Sequence, residues 1–228
     1  MKKISVILLI LLMPLAAAHA RGTQEDPRKG DERARLSYAF GMAIGSNLLS
    51  ADMEFDYDAF LLGMRAILEN TDTWFSENEA IRLVETALEE AQIRISERNR
   101  QAEIRFLAEN MGRAGVRVTP SGLQYEVLRQ GNGERPRLSS VVRVHYEGFL
   151  LDGTLFDSSY IDNESVVFTI SQVIPGWAEG LMLMNEGSKH RLYIPSRLAY
   201  GGRGIYQLIP PYSTLIFNVE LLEIVRSQ

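Results

Sequence analysis

Val142-Arg143-Val144-His145-Tyr146-Glu147-Gly148-Phe149-Leu150-Leu151-Asp152-Gly153-Thr154-Leu155-Phe156-Asp157 is the stretch on which the fold turns. Val142, Val144 and Tyr146 alternate with Arg143, His145 and Glu147, the period-two pattern of a strand with one buried face. Asp152-Gly153 then signals a hairpin, because that pair accepts the left-handed backbone a tight turn needs. The same pattern continues on either side. Leu123, Tyr125 and Val127 alternate with Gln124 and Glu126, and Gly131-Asn132-Gly133 reads as a turn. Leu192 and Ile194 mark a short strand with polar neighbours. In the last strand Leu215, Phe217, Val219 and Leu221 alternate with Ile216, Asn218, Glu220 and Leu222. Trp177, Leu181 and Met184 fall at i, i+4 and i+7, so one short helix starts at Trp177 and faces the sheet. The expected class is α+β, an antiparallel sheet wrapped on one helix.

Upstream of Val116 the pattern is helical. From about Arg33, Leu36, Phe40, Ala43, Ile44 and Leu48 recur on one helix face, with Gly41 and Gly45 four apart on another. A second short helix is expected over Asp58 to Leu68, with Phe60, Met64 and Ile67 inward. Ser76-Glu77-Asn78-Glu79 has the form of a capping box and opens a long helix to about Asn110. Ile81, Val84, Leu88, Ala91 and Ile95 draw a narrow apolar seam along it, which predicts a homodimer, and Glu90 and Arg94 pair on the outside. Arg98, Asn99, Arg100, Glu103 and Arg105 make the rest polar nearly all round, the character of a helix bridging two bodies through solvent. Gly112 and Gly115 end it.

The first residues have a different purpose. Lys2 and Lys3 precede the apolar run Ile4 to Leu12, and Ala16-Ala17-Ala18-His19-Ala20 supplies small residues for cleavage after Ala20. That is a secretory signal peptide, interrupted by Pro14 and short for a bilayer span. No later stretch is long or apolar enough to cross a membrane. The expected organisation is a signal peptide over 1–20, a flexible tail over 21–32 and a helical dimerisation module over 33–75. A connecting helix over 76–112 and an α+β sheet domain over 113–228 complete it. The protein is expected to be exported: periplasmic, outer-membrane associated or secreted.

Composition excludes several classes of function. With 46% hydrophobic residues the chain can build proper cores. It has no cysteine, so disulfides, thiolate metal sites and lipidation through cysteine are excluded. The net charge of −5 becomes two units more negative once Lys2 and Lys3 are removed, a poor basis for binding nucleic acid. The three histidines have no carboxylate or cysteine cluster at metal-ligand spacing. No serine sits in a nucleophile elbow, and Gly201-Gly202-Arg203-Gly204 lacks the P-loop lysine and serine. Asp152 is explained by its turn. No metal or cofactor is called for, and acid–base or nucleophilic chemistry has little support. What remains is an excess of aromatic and branched residues at strand ends and loops, suited to an apolar pocket with few polar groups.

Five ordered blocks between about Thr119 and Val225 resemble the FKBP family of macrolide-binding prolyl isomerases. They are Val144-His145-Tyr146-Glu147-Gly148, the hairpin Asp152 to Ser159, Val173-Ile174-Pro175-Gly176-Trp177, Ile194-Pro195 with Leu198-Ala199-Tyr200-Gly201, and Ile209-Pro210-Pro211 with Thr214-Leu215-Ile216-Phe217. The N-terminal part, with Tyr38-Ala39-Phe40-Gly41 and later Pro120-Ser121-Gly122-Leu123-Gln124-Tyr125, is similar to exported bacterial FKBPs of the macrophage infectivity potentiator type. In those relatives the helices dimerise and a long helix carries each catalytic domain.

The resemblance implies a peptidyl-prolyl cis/trans isomerase that assists the folding of exported proteins. It implies proline-containing unfolded polypeptides as substrates and macrolides such as rapamycin as inhibitors. Trp177 is then the pocket floor, and Tyr146, Phe156, Val173, Ile174 and Phe217 are its walls. The Ile174 N–H and the Tyr200 hydroxyl donate to peptide carbonyls, while Asp157 orients Tyr146. Phe168 keeps an inward position, and Leu208 and Ile209 line the flap. The chain departs from the family's pattern at Tyr160, Ile161 and Asp162, where many relatives carry a basic residue, and at Val166, where an aromatic wall is common. The alternative function is a holdase chaperone or surface interaction protein whose pocket is vestigial.

Overall fold

The computed structural model describes residues 31–225. The expected signal peptide and most of the expected tail lie outside the described residues. Those described fall into two compact units, divided between Asn47 and Leu48.

The first unit is most of helix α1 (Glu32–Ser50). Asp31 Oδ1 accepts the Ala34 N–H at 2.8 Å, filling one of the bonds a helix start leaves open. The face through Leu36 and Phe40 is open, at 58% and 61% exposed.

The second unit continues through α2 (Tyr57–Leu68) and α3 (Glu77–Asn110) into the sheet. Asp56 caps α2 by accepting from the Asp58 and Ala59 N–H groups. The expected inward set of α2 is only partly inward. Phe60 is half-buried against Phe55, at 6.3 Å between ring centroids. Met64 and Ile67 are exposed, because no described element covers that face. In α3 the capping box is present: Ser76 accepts from the Glu79 N–H and Glu79 from the Ser76 N–H. Of its seam, Ala91 and Ile95 are buried, whereas Ile81, Val84 and Leu88 are exposed.

The polar C-terminal part of α3 is not a bridge through solvent. Its side chains dock on the sheet module by hydrogen bonds. Asn110 Nδ2 donates to Gln124 Oε1 at 2.8 Å, and Gln124 Nε2 donates to the Leu107 carbonyl at 2.8 Å. Phe106 lies against Tyr193. Polarity here marks a hydrogen-bonded interface, which periodicity cannot distinguish from exposure.

Seven strands follow: β1 (Val116–Val118), β2 (Gln124–Arg129), β3 (Val141–Phe149), β4 (Leu155–Ser158), β5 (Val166–Thr169), β6 (Lys189–Ile194) and β7 (Leu215–Val225). The order is β1-β2-β6-β7-β3-β4, with β5 also on β3, and every pairing is antiparallel. The alternation expected for β3 is realised residue by residue: Val142, Val144 and Tyr146 are buried. The Asp152-Gly153 turn closes the β3–β4 hairpin, with Asp152 Oδ1 accepting from the Thr154 N–H at 2.9 Å.

Helix α4 (Pro175–Leu183) crosses the sheet. It starts two residues before Trp177, with Pro175 at its first position, where a missing N–H costs nothing. A side chain at Gly176 or Gly180 would collide with Ile194 or Leu192, so these glycines let the helix come down onto β6. Trp177, Leu181 and Met184 then seal against Leu192, Leu215, Val219 and Leu221, all at most 4% exposed. Each fully buried aliphatic side chain there contributes about 1.5–3 kcal/mol.

Candidate active site

At one end of α4 the sheet leaves a cavity of about 390 Å³. Its floor is Trp177, 4% exposed, whose indole is met edge-on by three rings. Tyr146 of β3 lies at 5.1 Å, Phe217 of β7 at 5.2 Å and Phe168 of β5 at 5.5 Å between centroids. Edge-to-face packing adds about 0.5–1.5 kcal/mol per pair beyond burial and fixes each ring's orientation. Val173 and Ile174, ahead of α4, close one side, and Tyr200, on the loop between β6 and β7, closes another.

Few polar groups face this apolar surface. Tyr146 Oη donates to Asp157 Oδ2 at 2.7 Å. The Tyr146 backbone N–H donates to Ser159 Oγ at 2.8 Å, so both ends of this tyrosine are held. Burial, then the Asp157 carboxylate, pushes the Tyr146 hydroxyl well above the ordinary tyrosine range. The same two causes, in the same order, raise Tyr200. Both phenols therefore stay protonated at neutral pH and can donate. Ile174 is the N-cap of α4, at the helix end where the first N–H groups have no intrahelical acceptor. The indole Nε1 of Trp177 is buried without a partner among the described residues.

Of the residues expected from sequence, Tyr146, Asp157, Phe168, Val173, Ile174, Trp177, Tyr200 and Phe217 line this one cavity. Three do not. Phe156 stands one ring further out, edge-on to Phe217 at 5.5 Å. Ile209 is 2% exposed and belongs to the core, because its carbonyl and N–H both pair with Ile205 and turn the loop inward. Leu208 is on the loop's exposed side. Gln172 is a lining residue that sequence reasoning missed. It sits on the 3-10 turn Ile170–Gln172, and a lone amide in a short turn carries no pattern.

The departures also have an outcome. Tyr160 stacks on His145 at 4.7 Å, away from Asp157. Among the described residues no cation forms an ion pair with Asp157, so Tyr146 is its side-chain partner. No group of three or more metal-binding side chains occurs among them either.

Comparison with known proteins agrees with this geometry. Residues 132–222 match the family model described as FKBP-type peptidyl-prolyl cis-trans isomerase. Residues 33–127 match the domain amino terminal to FKBP-type peptidyl-prolyl isomerase. The chain is 43% identical over 199 residues to the FKBP-type 22 kDa peptidyl-prolyl cis-trans isomerase of Escherichia coli, covering 84% of this chain and 95% of that protein. It is 32% identical over 223 residues to the outer membrane protein MIP of Legionella longbeachae, covering 95% and 96%. Among solved structures, FkpA from Escherichia coli superposes with a TM-score of 0.64 at 30% identity, over 87% of this chain and 99% of that one.

Proposed function

We propose, from the premise that this chain belongs to the FKBP-type peptidyl-prolyl cis-trans isomerases, that the cavity floored by Trp177 is where it turns X-Pro bonds. The chain is an isomerase, and its substrates are proline-containing polypeptides.

The chemistry asks little of the site. An X-Pro bond prefers trans by only about 0.5–1 kcal/mol, yet resonance sets a barrier of about 18–20 kcal/mol. No bond to another atom forms. A catalyst has to favour the twisted amide over the planar one. The planar amide is the more charge-separated of the two, so a dry aromatic wall favours the twisted form. The prolyl ring seats on Trp177 between Tyr146, Phe168 and Phe217. The Ile174 N–H and the Tyr200 hydroxyl hold the flanking carbonyls while the bond turns. Asp157 fixes Tyr146 and sets the potential beside the rotating carbonyl. Val173 completes the wall; Phe156, Ile209 and Leu208 support it from behind and from the loop. The observation that carries this reading is the convergence of three rings edge-on to the Trp177 indole with two protonated phenols and one carboxylate in a single cavity. A protease-coupled assay of residues 21–228 on Ala-Pro peptides tests it. Activity inhibited by rapamycin supports this site, and activity indifferent to rapamycin counts against it.

The open apolar faces of the helices favour a homodimer. Phe40, Leu61, Ile67, Ile81, Val84 and Leu88 are each 45–71% exposed in the single chain, more apolar surface than a monomer usually leaves to water. A monomeric mass for residues 21–228 by sedimentation would contradict this. The signal-like first 20 residues favour export, to the periplasm or the outer membrane, where the protein would assist the folding of exported proteins. No described helix is long and apolar enough to cross a membrane. The same open faces favour a second activity, the holding of unfolded clients. A Trp177→Ala chain that still suppresses aggregation would separate holding from isomerisation.

A further inference from the structure

The loop of residues 195–214 joins β6 to β7 and carries Tyr200. Both of its ends are bound by one side chain of α3. Glu103 Oε2 accepts the Ser196 backbone N–H at 2.5 Å and the Thr214 hydroxyl at 2.9 Å, while Glu103 Oε1 accepts the Ser196 hydroxyl at 3.1 Å. Ser196 stands two residues beyond β6, and Thr214 immediately precedes β7. Both are buried, at 4% and 1% exposed. Hydrogen bonds to a carboxylate are about twice as strong as neutral ones, and three of them here join the two ends of the loop.

One helical turn earlier, Asn99 lies on the same face of α3. Its Nδ2 donates to the Pro211 carbonyl at 2.8 Å, and the neighbouring Arg100 guanidinium sits 3.8 Å from the Tyr212 ring centroid. Inside the loop these anchors meet at the residue after Tyr200. The Gly201 N–H donates to the Ser196 carbonyl at 2.9 Å, and the Gly201 carbonyl accepts the Tyr212 N–H at 2.8 Å. The backbone beside Tyr200 is thus bound on both sides to residues that α3 itself holds.

Resting on the catalytic reading above, we propose that Glu103 is a positioning residue for isomerisation: through Ser196 and Thr214 it fixes the loop that presents the Tyr200 hydroxyl to substrate. On this account the last turns of α3 are a working part of the active site as well as a connection. Asn99 and Arg100 assist by holding Pro211 and Tyr212.

The test uses residues 21–228 with an Ala-Pro peptide. Glu103→Ala is expected to lower kcat/KM about five- to tenfold, and Glu103→Gln to restore most of it, because the amide oxygen still accepts the Ser196 N–H. In a Tyr200→Phe background Glu103→Ala is expected to cost less than twofold more, since it acts through that hydroxyl. Wild-type kcat/KM in Glu103→Ala overturns the proposal, as does an undiminished loss in the Tyr200→Phe background. If Glu103→Ala fails to fold, Thr214→Val takes its place with an expected two- to fourfold loss, and full activity in that variant is equally fatal. An inactive wild-type chain would instead remove the catalytic reading beneath the proposal, and the proposal with it.

Discussion

Tyr146→Phe removes one oxygen and leaves the ring where it is. The ring is held by Trp177 at 5.1 Å and by Phe168 and Phe217 at 6.1 and 6.3 Å, and the backbone N–H by Ser159. What is lost is the 2.7 Å bond to Asp157. A hydrogen bond to a charged acceptor nets about 1.5–3 kcal/mol when both partners are buried. Asp157 is exposed, so water replaces part of the bond, and the expected cost in stability is about 1 kcal/mol. The cost in catalysis is separate. If Asp157 works by orienting Tyr146, freeing it should lower kcat/KM about three- to tenfold, or ~0.7–1.4 kcal/mol of transition-state stabilisation. Urea unfolding gives the first quantity and a protease-coupled proline-peptide assay the second. The same assay on Asp157→Ala and on the double variant closes a cycle. The double variant should be no worse than the poorer single one, because each single change breaks the same bond. Losses that multiply in the double variant would show two independent contributions and refute the reasoning.

His190 offers a pH prediction. Burial, then the Arg117 and Arg135 charges, lowers its pKa from the ordinary 6.5 to about 4. The unfolded chain therefore binds a proton between these values that the folded chain refuses. Stability is full above pH 6.5 and falls as pH drops toward 4, by about 3 kcal/mol from this residue; His190→Phe should flatten that part of the profile in urea melts at pH 4 to 7. Gly204→Ala places a side chain at φ +60°, in collision with the Ile209 carbonyl oxygen. Left-handed backbone alone costs about 1–2 kcal/mol, so the Tyr200 loop should shift and kcat/KM should fall, with the melting temperature reduced by a few degrees; unchanged kinetics would show that the loop tolerates it.

Much of this was legible in the sequence, for physical reasons. The β3 alternation was readable because one face of that strand is buried along its length, and the capping box because it is a local bond. The pocket residues were reached through resemblance, since no periodicity says that Tyr146, Trp177 and Phe217 meet; only the register of β3 on β7 and the descent of α4 bring them together. Phe156 and Ile209 came with the same blocks, and Leu208 as their neighbour on the flap, but they stand behind or beside the cavity, because a motif records a neighbourhood and not which side chain faces inward. Gln172 left no signal. Met64, Ile67, Ile81, Val84 and Leu88 were apolar at helical spacing, which predicts a covered face but not whether this chain supplies the cover. Glu103 was the most misleading position. A charged residue on a polar helix reads as solvated, yet its partners, the Ser196 N–H and the Thr214 hydroxyl, lie more than 90 residues away in the chain.

The most direct measurement is the cis/trans exchange rate of an Ala-Pro peptide, followed by NMR in the presence of residues 21–228 carrying Trp177→Ala and Asp157→Ala together. If the cavity between α4 and the sheet turns the prolyl bond, exchange should fall at least tenfold below that with the unaltered chain, with the variant still folded by circular dichroism. Exchange as fast as with the unaltered chain would mean that catalysis happens elsewhere in the molecule.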